Sequence, residues 1–179
     1  MKITKTLAAF TLVLVCSAFM QLTVASWKIV PGKYTIQFSA TEVEGNFKKL
    51  DGEIKFDETN LAQSSMQIQI DVNSIETGNP TKNEHAKAED WLNAAVYPSI
   101  KFSSTGFTKT AAGFDVVGKL TMKDVTKDIT IPFTFTKKKK VGVFKGGFSV
   151  NRTEYHMEGD GIGETVTINF TIPVKPVNQ

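Results

Sequence analysis

The sequence predicts an all-β fold: an antiparallel β-barrel of about eight strands with one short helical segment. Apolar and polar residues alternate in many short segments, as in strands with one buried and one solvent-facing side. Turn residues separate these segments at regular intervals, which is typical of sandwiches and barrels. The apolar positions are rich in large side chains, and 11 of the 13 phenylalanines follow residue 26. This favours a barrel, although alternation alone also fits a sandwich.

The first 26 residues are predicted to be a secretory signal peptide. Lys2 and Lys5 precede an apolar run over residues 7–19, and small residues follow at positions 23–26. Such a segment is cleaved on export, here before Trp27. The domain is then residues 27–179, and its predicted location is periplasmic or secreted.

Cys16 raises the alternative of a lipid-anchored protein. Val15 directly before it is larger than the residue that lipidation requires, so the sequence favours ordinary cleavage. The expected mature chain has no cysteine, and therefore no disulfide or thiol nucleophile. The absence of disulfides favours a bacterial envelope over a small secreted animal domain.

Four strands are predicted before the helix. Residues 27–30 and 34–38 form an opening pair around Pro31 and Gly32, and residues 47–56 form the next strand, with Asp51 and Gly52 as a turn or bulge. Residues 66–72 alternate most clearly, with apolar side chains at even positions and polar ones between them.

One helix is predicted over residues 83–95. Ala86, Ala88, Trp91, Leu92 and Ala95 have helical spacing, and Pro98 is expected to end the helix.

Residues 113–136 predict a β-hairpin with one apolar face, and further strands surround it. Phe114, Val116, Gly118, Leu120 and Met122 occupy alternate positions, and the period resumes after the polar turn at 123–127. Strands are also expected at 100–102, 107, 141–144, 148–150 and 166–174.

The charge of the mature chain gives no indication of nucleic-acid binding. Removing Lys2 and Lys5 from the 21 basic residues leaves 19, against 18 acids. A nearly neutral chain lacks the strong attraction to phosphate that such proteins use. The lysine run at 137–140 is interpreted as a solvated hairpin end rather than a membrane or phosphate patch.

Catalytic and metal-binding patterns are scarce, and no enzyme activity, cofactor or metal is predicted. Glu154, His156 and Glu158 would point the same way on a strand, but three such residues are common at a polar surface. The glycines of residues 159–163 precede a strand rather than a helix, so they indicate a turn rather than a phosphate loop.

Acids and a histidine also cluster at the predicted helix start: Glu84, His85, Glu89 and Asp90. Acids in a first helical turn are favoured by the helix dipole, which is the interpretation preferred here. An envelope enzyme that uses Glu84, His85 and Asp90 for acid and base chemistry remains the alternative.

Several segments, in this order, resemble the YceI-like family of polyisoprenoid-binding proteins. The resemblance covers residues 27–174 and rests on these stretches: 45–47 (GNF), 52–57 (GEIKFD), 71–78 (DVNSIETG), 97–104 (YPSIKFSS), 117–122 (VGKLTM) with 125–126 (VT), 148–152 (FSVNR) and 162–164 (IGE). It implies an exported, lipocalin-like barrel that holds a long isoprenoid or other apolar lipid in an interior tunnel. Residues 82–86 (KNEHA) depart from the family pattern.

Fifteen residues are predicted to contact such a ligand. The interior candidates are Phe38, Phe47, Ile54, Phe56, Ile68, Ile70, Phe102, Leu120, Phe133, Phe135, Phe148 and Phe170. The polar candidates at a tunnel mouth are His85, Arg152 and Tyr155. Plain core packing is the alternative for each apolar residue, because filled and hollow barrels alternate in the same way.

The predicted function is lipid binding in transport, storage or stress response. A filled barrel that serves as an interaction module without ligand is a further alternative. The predicted partner is a long apolar lipid and not nucleic acid, while transient membrane contact and a homodimer stay open.

Overall fold

The computed structural model describes residues 24–177, so the predicted signal peptide lies almost wholly outside the described residues. The one α-helix among them is α1 (Pro80–Lys87), and short 3-10 helices occur at Leu61–Gln63, Val72–Ser74 and Arg152–Tyr155. The strands are β1 (Ser26–Ile29), β2 (Thr35–Ala40), β3 (Val43–Phe47), β4 (Leu50–Lys55), β5 (Ser65–Asp71), β6 (Ile75–Glu76), β7 (Ser99–Lys109), β8 (Phe114–Met122), β9 (Val125–Lys138), β10 (Val141–Asn151) and β11 (Thr165–Pro176). In this part of the chain, no helix is long and apolar enough to cross a membrane.

Eight strands form a closed antiparallel barrel. Pairing runs from β1 through β4, β5, β7, β8, β9 and β10 to β11, and β11 pairs with β1 again. The closing pair matches Trp27 with Pro176 and Ile29 with Val174. The predicted barrel is confirmed, and the sandwich is wrong because a sandwich would leave sheet edges unpaired.

The three remaining strands, β2, β3 and β6, extend the wall at one end of the barrel. β1 lies against residues 174–176 of β11, and β2 lies farther along the same edge, against residues 167–171. β3 pairs with β2 and β6. The two opening strands predicted from the sequence are therefore present, but they do not pair with each other.

The single strand predicted over 47–56 is wrong, because β3 ends at Phe47 and β4 begins at Leu50. The turn into β3 uses Glu42, which has a positive φ of 67°. Position 45 of β3 requires a glycine, because a Cβ there would lie 2.6 Å from the Phe38 ring and 2.7 Å from the Glu76 carbonyl oxygen. A strand with a glycine and polar neighbours has weak β propensity, which explains why its sequence gave no clear signal.

The predicted hairpin at 113–136 is confirmed as β8 and β9. All five alternating residues of β8, from Phe114 to Met122, are buried. In β9, Ile131, Phe133 and Phe135 are buried as well. The turn is only two residues long, Lys123 and Asp124, because Val125 already pairs with Met122.

The helix bounds predicted from the sequence are wrong. α1 begins at Pro80 and ends at Lys87, and turns follow it up to Pro98. Asn79 caps the start, since its side chain accepts hydrogen bonds from the amides of Thr81 and Lys82. The apolar spacing of Trp91 and Leu92 belongs to the turns, where these residues pack inward.

One end of the barrel is filled by aromatic side chains, here called the aromatic plug. Phe56 is at its centre, with ring centroids 5.1 Å from Phe114 and 5.2 Å from Phe135, both edge to face. Its members are Trp27, Phe56, Phe107, Phe114, Phe133, Phe135 and Phe144. The Trp27 indole N–H also donates a hydrogen bond of 2.9 Å to the Phe56 carbonyl.

Candidate functional site

The barrel contains a cavity of about 450 Å³ above the aromatic plug. Strands β2, β3, β4, β5, β7, β8, β9, β10 and β11 contribute apolar side chains to its wall. Phe133 and Phe144 belong to both the plug and the cavity wall, so the plug forms the floor of the cavity. A volume of this size lies within the range of small-molecule binding sites, about 300–1,000 Å³.

Several interior side chains are only half-buried, and the cavity explains this. Phe38, Ile68, Phe148 and Phe170 point into the barrel, and all four line the cavity. Their exposed area faces the empty space rather than other side chains. A cavity with such a lining offers an apolar ligand a dry surface, while it offers few hydrogen bonds to a polar one.

Polar residues lie where the cavity reaches the surface. This mouth is formed by the β2–β3 turn, α1 and the loop before β11, and its residues Glu42, Lys82, His85 and Asp160 both line the cavity and are exposed. Lys82 donates a hydrogen bond of 3.2 Å from Nζ to the Glu42 carbonyl, which joins α1 to the β2–β3 turn.

α1 is held beside the mouth by hydrogen bonds to β6 and the residues after it. Asn83 Oδ1 accepts from the hydroxyl of Thr77 at 2.7 Å and from its amide at 2.8 Å. Asn83 also donates to Glu76 at 3.2 Å. This bond, together with one from the Gly78 amide, lowers the pKa of Glu76 below its ordinary value.

Arg152 is the buried charged residue at the mouth. It is 6% exposed, and its Nη2 and Nε donate to the carbonyls of Ile162 and Gly163 at 2.8 and 3.2 Å. It also donates to the Met157 carbonyl and lies 4.8 Å from the Trp91 ring centroid. The guanidinium therefore fastens the loop before β11 while it also lines the cavity.

The structure places twelve of the fifteen sequence-predicted residues in the cavity lining. These are Phe38, Phe47, Ile54, Ile68, Ile70, His85, Phe102, Leu120, Phe133, Phe148, Arg152 and Phe170. Their contact with a ligand stays a prediction.

Phe56, Phe135 and Tyr155 do not line the cavity. Phe56 and Phe135 are interior, but they lie in the aromatic plug below it. Tyr155 is 1% exposed and is packed in the core behind the mouth. Alternation distinguishes inside from outside, but it does not give the height of a residue along the barrel axis, so it could not separate Phe56 and Phe135 from the cavity residues. Tyr155 was predicted as a polar mouth residue, and its burial in the 3-10 helix at Arg152–Tyr155 contradicts that position.

Sequence analysis missed several mouth residues, including Glu42, Lys82, Trp91 and Asp160. They lie on turns and on α1, where no alternation marks the inner side. Only the helical spacing of Trp91 indicated that its ring packs inward.

The acidic residues near His85 have partners other than its side chain. Glu84 is exposed and pairs with Lys87, with 2.6 Å between Oε1 and Nζ. Asp90 is also exposed, and its carbonyl accepts a hydrogen bond from the Glu158 amide. Within residues 24–177, no hydrogen bond joins the His85 side chain to Glu84 or Asp90.

Glu154, His156 and Glu158 do not lie on a strand, so the premise for a shared metal site is wrong. Glu154 is in a 3-10 helix and pairs with Lys127 at 2.8 Å, whereas His156 has left-handed backbone and approaches Asp124 at 3.3 Å. The described residues contain no group of three or more metal-ligating side chains that could hold an ion.

Comparison with protein-family models matches residues 27–174 to the YceI-like domain. Among curated proteins, a UPF0312 protein of Yersinia enterocolitica is 34% identical over 109 residues, which are 60% of this chain and 57% of that protein. UPF0312 proteins of Yersinia pestis are 32% identical over the same length. The match thus spans a little over half the length of these relatives.

Solved structures share the fold. BcnA of Burkholderia cenocepacia superposes with a TM-score of 0.76 at 28% identity, over 81% of this chain and 98% of that one. The YCEI protein of Campylobacter jejuni superposes with a TM-score of 0.67 at 22% identity, over 77% of this chain and 86% of that one. A polyisoprenoid binding domain of Saccharophagus degradans superposes with a TM-score of 0.66 at 17% identity, over 87% of this chain and 100% of that one.

Proposed function

The chain belongs to the YceI-like family, and from this membership and the cavity we propose that it binds a long apolar lipid of isoprenoid type without catalysing a reaction. The Saccharophagus degradans domain is described as polyisoprenoid binding, but at 17% identity that likeness concerns the fold alone. The observation that carries the proposal is therefore the apolar lining of the 450 Å³ cavity.

Apolar burial is sufficient to hold such a ligand. Each buried methylene contributes about 0.8 kcal/mol, so ten of them contribute roughly 8 kcal/mol before the costs of ordering the chain. That energy corresponds to a dissociation constant near the micromolar scale. A lipid longer than the cavity leaves its polar end at the mouth, beside Glu42, Lys82 and His85.

The cavity also supports ligand binding over the filled-barrel alternative, because a barrel used only as an interaction module has no need of such a space. The enzyme alternative receives no such support from the exposed and separated carboxylates of Glu84 and Asp90. Transport, storage and stress response use the same binding step, and all three stay within the proposal.

Export is part of the proposal. A cleaved signal peptide at residues 1–26, as the sequence predicts, would deliver the domain to the periplasm or the medium. Intact-mass measurement of the protein from an envelope fraction tests this, and a chain that begins at Trp27 is the expected product. A protein recovered only with residues 1–26 attached would contradict export by cleavage.

Native mass spectrometry tests ligand binding. The protein is purified without detergent from its own envelope fraction, and its mass is compared before and after organic extraction. We expect one apolar adduct of defined mass per chain. A mass equal to that of the bare chain, unchanged after isoprenoid lipids are offered, would contradict the proposal.

A further inference from the structure

We propose that the end of the barrel opposite the mouth docks on an anionic lipid bilayer. The register of the strands brings lysines from five separate strands and one hairpin turn together at this end, beneath the aromatic plug. This surface, the lysine end, consists of Lys28, Lys55, Lys109, the run 137–140 and Lys175, and all of these lysines are exposed. The acids nearby are Asp57, Glu58, Asp115 and Glu53, which the antiparallel register of β1 and β4 brings opposite Lys28. The eight lysines outnumber these four acids, so the end has an excess of positive charge.

Four lysines outside the lysine end form ion pairs within the protein, whereas the lysine end, like several exposed lysines elsewhere, forms none among the described residues. Lys49, Lys87, Lys119 and Lys127 each have a carboxylate oxygen at 3.2 Å or less. Among the described residues, none of the lysines at the lysine end has one within 4.0 Å. Lys137 instead lies 5.5 Å from the Trp27 ring centroid. Hydrogen bonds from Thr59 and, more weakly, the charge of Lys137 lower the pKa of Asp57. The remaining charges are available to an anionic surface outside the protein.

Exposed apolar side chains favour a bilayer over an anionic polymer. Two of the four exposed large apolar side chains among the described residues, Val141 (38% exposed) and Val177 (50%), lie at the lysine end, beside Lys138 and Lys175. The other two, Val117 in β8 and Val96 before β7, lie outside it. Lysines surrounding exposed apolar groups are typical of surfaces that rest at the lipid interface. Nucleic-acid binding through phosphates has no use for exposed valines.

The charge distribution also gives the docked orientation. The β8–β9 turn lies at the mouth end, because Lys123 donates to the carbonyls of Glu89 and His156 there. Exposed acids surround this end, among them Glu42, Asp124 and Asp160. An anionic bilayer repels the mouth and attracts the lysine end, so the mouth points away from the bilayer on which the protein docks. This inference does not depend on what the cavity contains.

Vesicle sedimentation tests the docking surface. Vesicles of phosphatidylcholine with about a third phosphatidylglycerol are mixed with the wild type, with the variant K137Q/K138Q/K139Q/K140Q, and with the control K33Q/K48Q/K101Q/K145Q. The control removes the same charge from exposed lysines outside the lysine end, two on strands (Lys101 and Lys145) and two in connections between strands (Lys33 and Lys48). At about 0.1 M salt we expect the 137–140 variant to bind about tenfold more weakly or worse, and the control to bind within about threefold of the wild type.

Three results would overturn the proposal: equal loss in both variants, equal binding of the wild type to pure phosphatidylcholine vesicles, or complete displacement by a soluble polyphosphate of equal charge concentration. The last result would indicate an anionic polymer as the partner. Uptake of an apolar ligand in vesicle-free solution should be unchanged in both variants, so failure of docking and failure of lipid binding can be distinguished.

The two tryptophans test the orientation. Trp27 lies at the lysine end and Trp91 at the mouth. With dansyl-labelled phosphatidylethanolamine in the anionic vesicles, we expect energy transfer to be stronger in Trp91→Phe, which retains Trp27, than in Trp27→Phe. Stronger transfer from Trp91 would mean that the mouth faces the bilayer and would overturn the inference.

Discussion

At the scale of single residues, the mouth depends most on Arg152. Its guanidinium satisfies three backbone carbonyls of the loop before β11, and the Trp91 ring covers it. Hydrogen bonds from a charged donor are stronger than neutral ones, and buried carbonyls without donors are costly. One side chain thus determines the shape of one side of the mouth.

Arg152→Leu should lower the free energy of unfolding by about 2–4 kcal/mol, because it leaves three carbonyls without their donor. Urea unfolding measures this, and limited proteolysis should show new cleavage within residues 157–164. Arg152→Lys retains the positive charge but not the planar guanidinium, so its unfolding free energy should lie between those of the wild type and Arg152→Leu. A loss below about 0.5 kcal/mol in Arg152→Leu would show that the loop is held by other contacts.

Tyr155 predicts a pH dependence of stability. Burial raises the pKa of its phenol above the ordinary value of 10.0, and the Glu154 carboxylate raises the pKa further. Above about pH 10 the unfolded chain loses the phenol proton while the folded protein keeps it. The contribution of the neutral phenol is therefore complete below that pH, and it is lost as the pH rises towards the pKa of the folded protein.

Urea unfolding of the wild type and of Tyr155→Phe across this pH range measures the effect. The difference in unfolding free energy should be constant from about pH 7 to 9 and should shift in favour of Tyr155→Phe above about pH 10. Lysines titrate in the same range, but they are common to both proteins and cancel. A difference that stays constant up to about pH 11 would contradict the account.

At the scale of strands and helices, the alternating segments were predictable and the irregular ones were not. β8 follows its pattern from Phe114 to Met122 because each pleat reverses the side of the side chain. β3 was missed because Gly45, which leaves room for the Phe38 ring, and its polar neighbours have weak β propensity. The helix start at Pro80 had a sequence signal in Asn79, but the apolar spacing of Trp91 and Leu92 indicated a later segment.

The division of the interior into plug and cavity was also beyond sequence analysis. Phe133 and Phe135 are two residues apart on β9 with the same orientation, yet only Phe133 lines the cavity. The height of each residue depends on the register between neighbouring strands, such as Phe135 opposite Phe144. Register arises from the whole sheet rather than from any one segment.

Phe56→Ala should cost about 3–5 kcal/mol of unfolding free energy, because Phe56 contacts five other rings in the plug. Phe148→Ala is the matched control, since Phe148 is half-buried and already faces the cavity. The loss of unfolding free energy in Phe148→Ala should be about half that in Phe56→Ala. Denaturant unfolding of both variants measures the difference, and equal losses would argue against a filled plug beneath a hollow cavity.

At the scale of the whole molecule, the closed ring of strands separates three regions along one axis. The mouth has exposed polar groups, the middle is an apolar cavity, and the far end is the aromatic plug surrounded by lysines. The barrel itself was predictable from the sequence, whereas the grouping of lysines from five strands required the folded arrangement. Ligand binding and membrane docking are therefore assigned to opposite ends.

The central claim is that the ligand occupies the cavity, and neighbouring residues of β5 test it most directly. Ile68 lines the cavity, whereas Gln69 is exposed on the outer side of the barrel. The measurement is the amount of apolar lipid bound per chain, by native mass spectrometry, in Ile68→Trp and Gln69→Trp. We expect the indole in Ile68→Trp to occupy space that the ligand needs, so that this variant retains less than about a fifth of the wild-type lipid, and Gln69→Trp to retain nearly all of it. Wild-type lipid content in a folded Ile68→Trp protein would contradict the account.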